Sequence, residues 1–228
     1  MIRLCILDFD GTLCGTHDAI AFCIDRTFDH YGVTRPGVER REAVIETGVV
    51  MAEAMAILNA GTSHARDAGQ WAVTYRALYR EHGIAHSHLF AGVKEALAQL
   101  KASGRALVIA SNKAPASVDI ALAHYGLASF IDLAVCDPQG VPKKPDPASY
   151  TQLIAPAFPG MKAEEIVMVG DTAADLGFAR NIGAYFAWAS YGYGDPRAGL
   201  ATRSDVVLKA FADLPDIIDT LAATPPLR

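Results

Sequence analysis

Three short apolar runs, each closed by polar residues, organise the chain. They are Leu4-Cys5-Ile6-Leu7 before Asp8, Ala106-Leu107-Val108-Ile109-Ala110 before Ser111-Asn112, and Ile166-Val167-Met168-Val169 before Gly170-Asp171. Near-continuous apolar character over four or five residues is the pattern of a parallel strand covered on both faces. Weaker runs at 131–135, 184–189 and 206–208 predict further strands, the last at an edge. Helical spacing over 93–102, 117–125 and 172–181, with Gly104, Gly126 and Gly183 following, separates the runs. Strand and helix in alternation predict an α/β fold, a doubly wound and mostly parallel sheet with right-handed crossovers. Ligands in such sheets bind beyond the carboxyl ends of the strands, so the polar closing residues should converge on one edge.

The rhythm breaks between the first two strong runs. Residues 16–85 hold no convincing strand, but 18–31, 49–58 and 67–81 carry apolar residues at i, i+3 and i+4. This predicts a core of 1–15 and 86–228 with a helical cap, 16–85, inserted over the carboxyl edge of the sheet. The expected hinges are 11–16 and 83–91.

Composition narrows the partners. The chain has 228 residues, 51% hydrophobic and 20% charged, with a net charge of −5. That balance suits a globular protein and argues against a nucleic-acid or anionic-membrane partner. No run reaches the roughly 20 apolar residues of a membrane span. Met1-Ile2-Arg3-Leu4 shows no basic region and cleavage site around an apolar stretch, so no signal peptide is expected. The four cysteines form no CxxC pair and no zinc spacing, so a reducing, cytoplasmic setting is expected. A monomer or a homodimer is equally compatible with the chain.

The chemistry concentrates in Asp8-Phe9-Asp10-Gly11-Thr12-Leu13. Two carboxylates two positions apart at a strand end can share a side. Their repulsion is relieved by a hard divalent cation, and carboxylates in different protonation roles can divide nucleophilic and acid–base duties. Gly11 permits a sharp turn away from the strand.

This stretch resembles the DxDGT motif of phosphatases in the haloacid dehalogenase-like hydrolase superfamily. Ser111-Asn112, the Lys144 of Lys143-Lys144-Pro145, and Gly170-Asp171-Thr172-Ala173-Ala174-Asp175 are similar to the family's remaining motifs, in the family's order. The resemblance covers essentially the whole chain, with the insert at the C1 cap position. It implies a magnesium-dependent phosphatase of small phosphorylated metabolites. Asp8 would be nucleophile and metal ligand. Asp10 would be acid–base, offering its backbone carbonyl to the metal. Asp171 would be a metal ligand, and Asp175 a ligand or its support. Ser111, Asn112 and Lys144 would hold the phosphate, with Lys143 the competing lysine. The second aspartate favours phosphate-ester cleavage over dehalogenation, since halide leaves without a proton.

Substrate choice falls to the cap. Glu46-Thr47-Gly48-Val49-Val50-Met51 resembles the specificity loop of phosphoglycolate-phosphatase-like enzymes, which makes Thr47, Gly48 and Val49 candidates. The segment contains no Arg or Lys, although Arg40 and Arg41 precede it. A β-phosphoglucomutase-like phosphomutase and a non-catalytic binding module are the alternatives. His82, His86 and His88 match no metal motif and read as solvated hinge residues. Gly192-Tyr193-Gly194 reads as a loop.

Overall fold

The structure is a computed structural model and describes residues 1–221 and 225–227. Six parallel strands form one sheet: β1 (Leu4–Leu7), β4 (Ala106–Ser111), β5 (Leu133–Cys136), β6 (Ile166–Gly170), β7 (Tyr185–Ala189) and β8 (Val206–Leu208). Their spatial order is β5-β4-β1-β6-β7-β8. The sheet is the doubly wound α/β fold expected from the apolar runs. β1 lies at the centre, with Leu7 opposite Ile109 of β4 on one side and Val169 of β6 on the other. The residues that follow Leu7, Ile109 and Val169 therefore emerge side by side.

Alternation along the strands divides the core between two faces. Cys5, Leu7, Leu107, Ile109, Val167 and Val169 face α5 (Val93–Ala102), α6 (Pro115–Tyr125) and α10 (Leu214–Leu221). Leu4, Ile6, Val108, Ala110, Ile166 and Met168 face α8 (Ala173–Ile182). A π turn, Tyr150–Ile154, runs into the short α7 (Ala155–Ala157), and α9 (Leu200–Arg203) precedes β8. In the run at 131–135 the strand starts two residues later than the apolar character suggests. Asp132 turns its carboxylate to the Leu107 N–H (2.8 Å) and to Lys101 (2.7 Å), and pairing of side chains into the sheet begins at Leu133.

The segment between β1 and β4 holds four helices: α1 (His17–His30), α2 (Val38–Ile45), α3 (Met51–Leu58) and α4 (Ala68–His82). They share a hydrophobic cluster that includes Ile24, Phe28, Met55, Trp71 and Tyr75. α2 is absent from the sequence expectation. Its first five residues, Val38-Glu39-Arg40-Arg41-Glu42, carry four charges, and only Val44 and Ile45 are buried. The two passages of chain into and out of these helices pair with each other. β2 (Cys14–Gly15) runs antiparallel to β3 (His88–Leu89). No helix among the described residues is long and apolar enough to cross a membrane.

Candidate active site

Asp8 lies directly beyond β1 and is buried. Its Oδ1 accepts a hydrogen bond from Lys144 Nζ at 2.9 Å, and the same ammonium donates to Asp175 Oδ1 at 2.6 Å. Lys144 keeps only 4% of its side chain exposed. Carboxylate oxygens of Asp8, Asp171 and Asp175 lie within 4.8 Å of one another. Two strand ends, those of β1 and β6, and the first turn of α8 thus place their acidic groups around one point, with a single buried amine between two of them.

Each acid is held from a different direction. Asp175 Oδ2 accepts from the Thr172 N–H (3.0 Å) and hydroxyl (2.8 Å), which ties it to the start of α8. Asp171 Oδ2 accepts from the Tyr193 N–H at 2.7 Å, and its backbone carbonyl accepts from Trp188 Nε1 at 3.1 Å. The Asp-Gly turn after β1 makes room for it. Gly11 has φ 73°, and a Cβ there would lie 2.2 Å from Asp171 Oδ2. Only glycine satisfies both the backbone angle and the contact.

Burial and crowding set the charge state of the cluster. Burial pushes the Asp8 carboxyl up to about 6; Lys144 opposes this and Asp175 adds to it. Burial raises Asp171 well above its ordinary value, with Asp175 and Asp8 reinforcing the rise. Burial would depress Lys144, but the carboxylates of Asp175 and Asp8 outweigh it and hold the amine protonated.

Asp10 stands beside this cluster. Its Oδ1 accepts from the Thr16 hydroxyl at 2.6 Å, and Lys113 Nζ donates to both its oxygens at 3.0 and 3.1 Å. Lys113 also lies 4.0 Å from the centroid of the Tyr79 ring on α4. Ser111 ends β4 on the same edge, and Asn112 follows it. The Asn112 side-chain amide donates to the Gly48 carbonyl at 3.1 Å and to the Lys144 carbonyl at 3.4 Å, which joins the α2–α3 loop to the lysine loop.

A cavity of about 110 Å³ opens above these groups. Asp8, Asp10, Ser111, Asn112 and Lys144 form its floor, and Gly48 and Val49 line its wall. Thr47 turns away, and its hydroxyl donates to the Val44 carbonyl at 2.6 Å. Of the two adjacent lysines, Lys143 points to the Pro138 carbonyl (2.6 Å) and Asp137 (2.8 Å), leaving Lys144 at the acids. Arg40 donates to the Ile57 carbonyl, and Arg41 pairs with Asp25 and Glu42. Neither arginine lines the cavity. His86 stacks on Phe22, with ring centroids 4.1 Å apart.

Several site residues escape the sequence reading. Lys113 follows Asn112 directly, and an acidic chain that handles phosphate makes every nearby lysine informative. Tyr193 sits between the two glycines of an unremarkable loop, and nothing local marks it. Its hydroxyl accepts from the Thr16 N–H and from the His17 N–H (2.9 Å), at the start of α1.

Comparisons with known proteins agree with this geometry. The phosphoglycolate phosphatase of Yersinia pseudotuberculosis is 31% identical over 93% of this chain and 91% of its own length. That of Nitrosococcus oceani is 27% identical over 96% and 98%. The crystal structure of a haloacid dehalogenase-like hydrolase from Bacteroides fragilis shares the fold, with a TM-score of 0.82 at 22% identity, covering 94% of this chain and all of that one. Residues 5–189 match the haloacid dehalogenase-like hydrolase family, and this chain belongs to it.

Proposed function

We propose that this enzyme is a magnesium-dependent phosphatase that cleaves a small phosphomonoester through an aspartyl phosphate on Asp8. Substrates of the phosphoglycolate type are the first to test, given the activity for which its relatives are named. The observation that carries the reading is the placement of Asp8 against the Lys144 amine and beside the carboxylates of Asp171 and Asp175.

The donors suit a hard divalent ion. They are all oxygen, and burial and mutual repulsion drive protons onto Asp8 and Asp171 when no cation is bound. Asp8, Asp171 and the Asp10 backbone carbonyl would hold Mg²⁺. Asp175 has one oxygen on Lys144 and the other on Thr172, so it supports the set from behind. When bound, the ion neutralises charge on the transferring phosphoryl group.

The remaining roles belong to this chain's own side chains. Asp8 attacks phosphorus, and the leaving oxygen takes a proton from Asp10. Asp10 then takes a proton from the water that hydrolyses the acyl phosphate, a division into two easier displacements. Thr16 and Lys113 fix the Asp10 carboxylate, and Oδ2, which lacks the Thr16 contact, is the oxygen freer to carry the proton. Lys144 neutralises Asp8 and the phosphate, while Ser111 and the Asn112 N–H receive phosphate oxygens. The helices of 16–85 act as a cap that excludes water. Four buried, unpaired cysteines support a reducing, cytoplasmic setting.

Release of phosphate from p-nitrophenyl phosphate with Mg²⁺ and with EDTA tests the reading. Asp8→Asn should lose activity by at least about 10³-fold, since no carboxylate remains to form the covalent intermediate, while its circular dichroism stays that of the parent. Full activity in that variant overturns the mechanism.

A further inference from the structure

The wall of the cavity contributed by α1–α4 is mostly aliphatic, joined by Tyr75 and Tyr79 of α4. Ile20, Ile24, Val44, Met51 and Ala54 line it, and among the described residues Arg76 of α4 is the single charged side chain these helices place there. The α2–α3 loop offers no cation, so any second anion on a substrate must find one elsewhere. We propose that Arg76 is the specificity-determining residue of this site and that it receives the carboxylate of a short phosphorylated hydroxy acid. The proposal rests on the phosphatase reading above and deepens it.

The contacts of Arg76 leave it available for that exchange. Its guanidinium reaches Asp137 Oδ2 at 3.3 Å, long for a charged pair, and its side chain keeps 37% of its surface exposed. Asp137 has a closer cation, because Lys143 Nζ lies 2.8 Å from its other oxygen. When Arg76 swings to a ligand, Asp137 keeps a counter-charge. A guanidinium is also the side chain whose planar fork matches a carboxylate.

The rest of the wall limits what lies between the two anions. Isoleucine, valine, methionine and alanine side chains offer no partners to hydroxyl groups, which leaves only the Tyr75 and Tyr79 hydroxyls as neutral partners on this wall, and a buried hydroxyl without a partner costs roughly 1–3 kcal/mol. A sugar phosphate, with several hydroxyls to satisfy, is therefore a poorer fit here than a short acid. A leaving group of one or two carbons that ends in a carboxylate buries little polar surface, and its charge meets Arg76.

The test compares two esters that differ at one end. 2-Phosphoglycolate and ethyl phosphate share the phosphate and its methylene, and differ in carboxylate against methyl. In the parent protein kcat/KM should favour phosphoglycolate. In Arg76→Gln the ratio of the two kcat/KM values should fall about 10–100-fold, the worth of a hydrogen-bonded charge pair. Asp137→Asn should keep the parent ratio, which separates ligand recognition from loss of the Arg76–Asp137 contact. An unchanged ratio in Arg76→Gln overturns the proposal, as does an equal fall in Asp137→Asn. Turnover of p-nitrophenyl phosphate by the parent tests the phosphatase reading separately. If that activity is present and the ratio holds, only the assignment of Arg76 fails.

Discussion

Lys113 Nζ spans both carboxylate oxygens of Asp10, at 3.0 and 3.1 Å, beneath the ring of Tyr79. The pair joins the end of β4 to the turn after β1, and the ring brings α4 to the same amine. Lys113 is nearly enclosed, with 8% of its side chain exposed, against 23% for Asp10.

Removing one member should therefore cost more than removing both charges. Lys113→Met leaves Asp10 facing an apolar group and should destabilise the fold by about 1–3 kcal/mol, less than a fully buried pair would lose because Asp10 keeps some water. Lys113→Met combined with Asp10→Asn should recover part of that loss. Urea unfolding of both variants checks the comparison.

Tyr193 should matter to the start of α1. No side chain of α1's own N-terminus caps it, and the hydroxyl of Tyr193 takes the Thr16 and His17 N–H groups instead. Tyr193→Phe should lose about 1–2 kcal/mol, the range of a lost N-cap, and speed amide exchange in the first turn of α1. Exchange at the parent rate in that turn would show that the hydroxyl contributes nothing there.

The acids give the metal-free protein a defined pH dependence. The Asp8 carboxyl titrates near 6 in the folded chain against an ordinary value of 3.8, and Asp171 is displaced in the same direction. The folded state thus holds these protons more tightly than the unfolded chain. Their contribution to stability is complete below the ordinary value and is lost as pH rises through about 6. A cation needs the ionised carboxylates, so its binding should tighten across the same window. Thermal unfolding of EDTA-treated protein at about pH 5 and about pH 7.5, with and without MgCl₂, measures this. The rise in Tm on adding Mg²⁺ should be larger at the higher pH and smaller in Asp8→Asn at both.

Much of this architecture is legible in the chain because its strands are short and apolar throughout. Leu4–Leu7 and Ile166–Gly170 stand out from their surroundings, and the residues after them could only emerge on one edge. Asp8 and Asp171 are marked by the strand ends they follow, whereas Lys144 is marked only by its resemblance to a family motif. The helices α1, α3 and α4 carry apolar stripes, whereas α2 is held by two buried residues at its end and gives no stripe. The pairs that complete the site are long-range. Tyr193 meets Thr16 across 177 positions, and Asn112 meets Gly48 across 64. Arg76 differs from other surface arginines only in which cavity its helix faces. Periodicity records which side of an element is covered, and says little about what covers it.

The antiparallel pair of Cys14–Gly15 with His88–Leu89 has a mechanical consequence. Two crossings laced together behave as one strap, so the helical bundle cannot slide one tether against the other. Its cheapest displacement is a tilt about that strap. Asp10 is bridged to Cys14 and bonded to Thr16, immediately beside the pivot. Rocking of the bundle is thereby felt first at the acid that the proposed chemistry asks to move a proton.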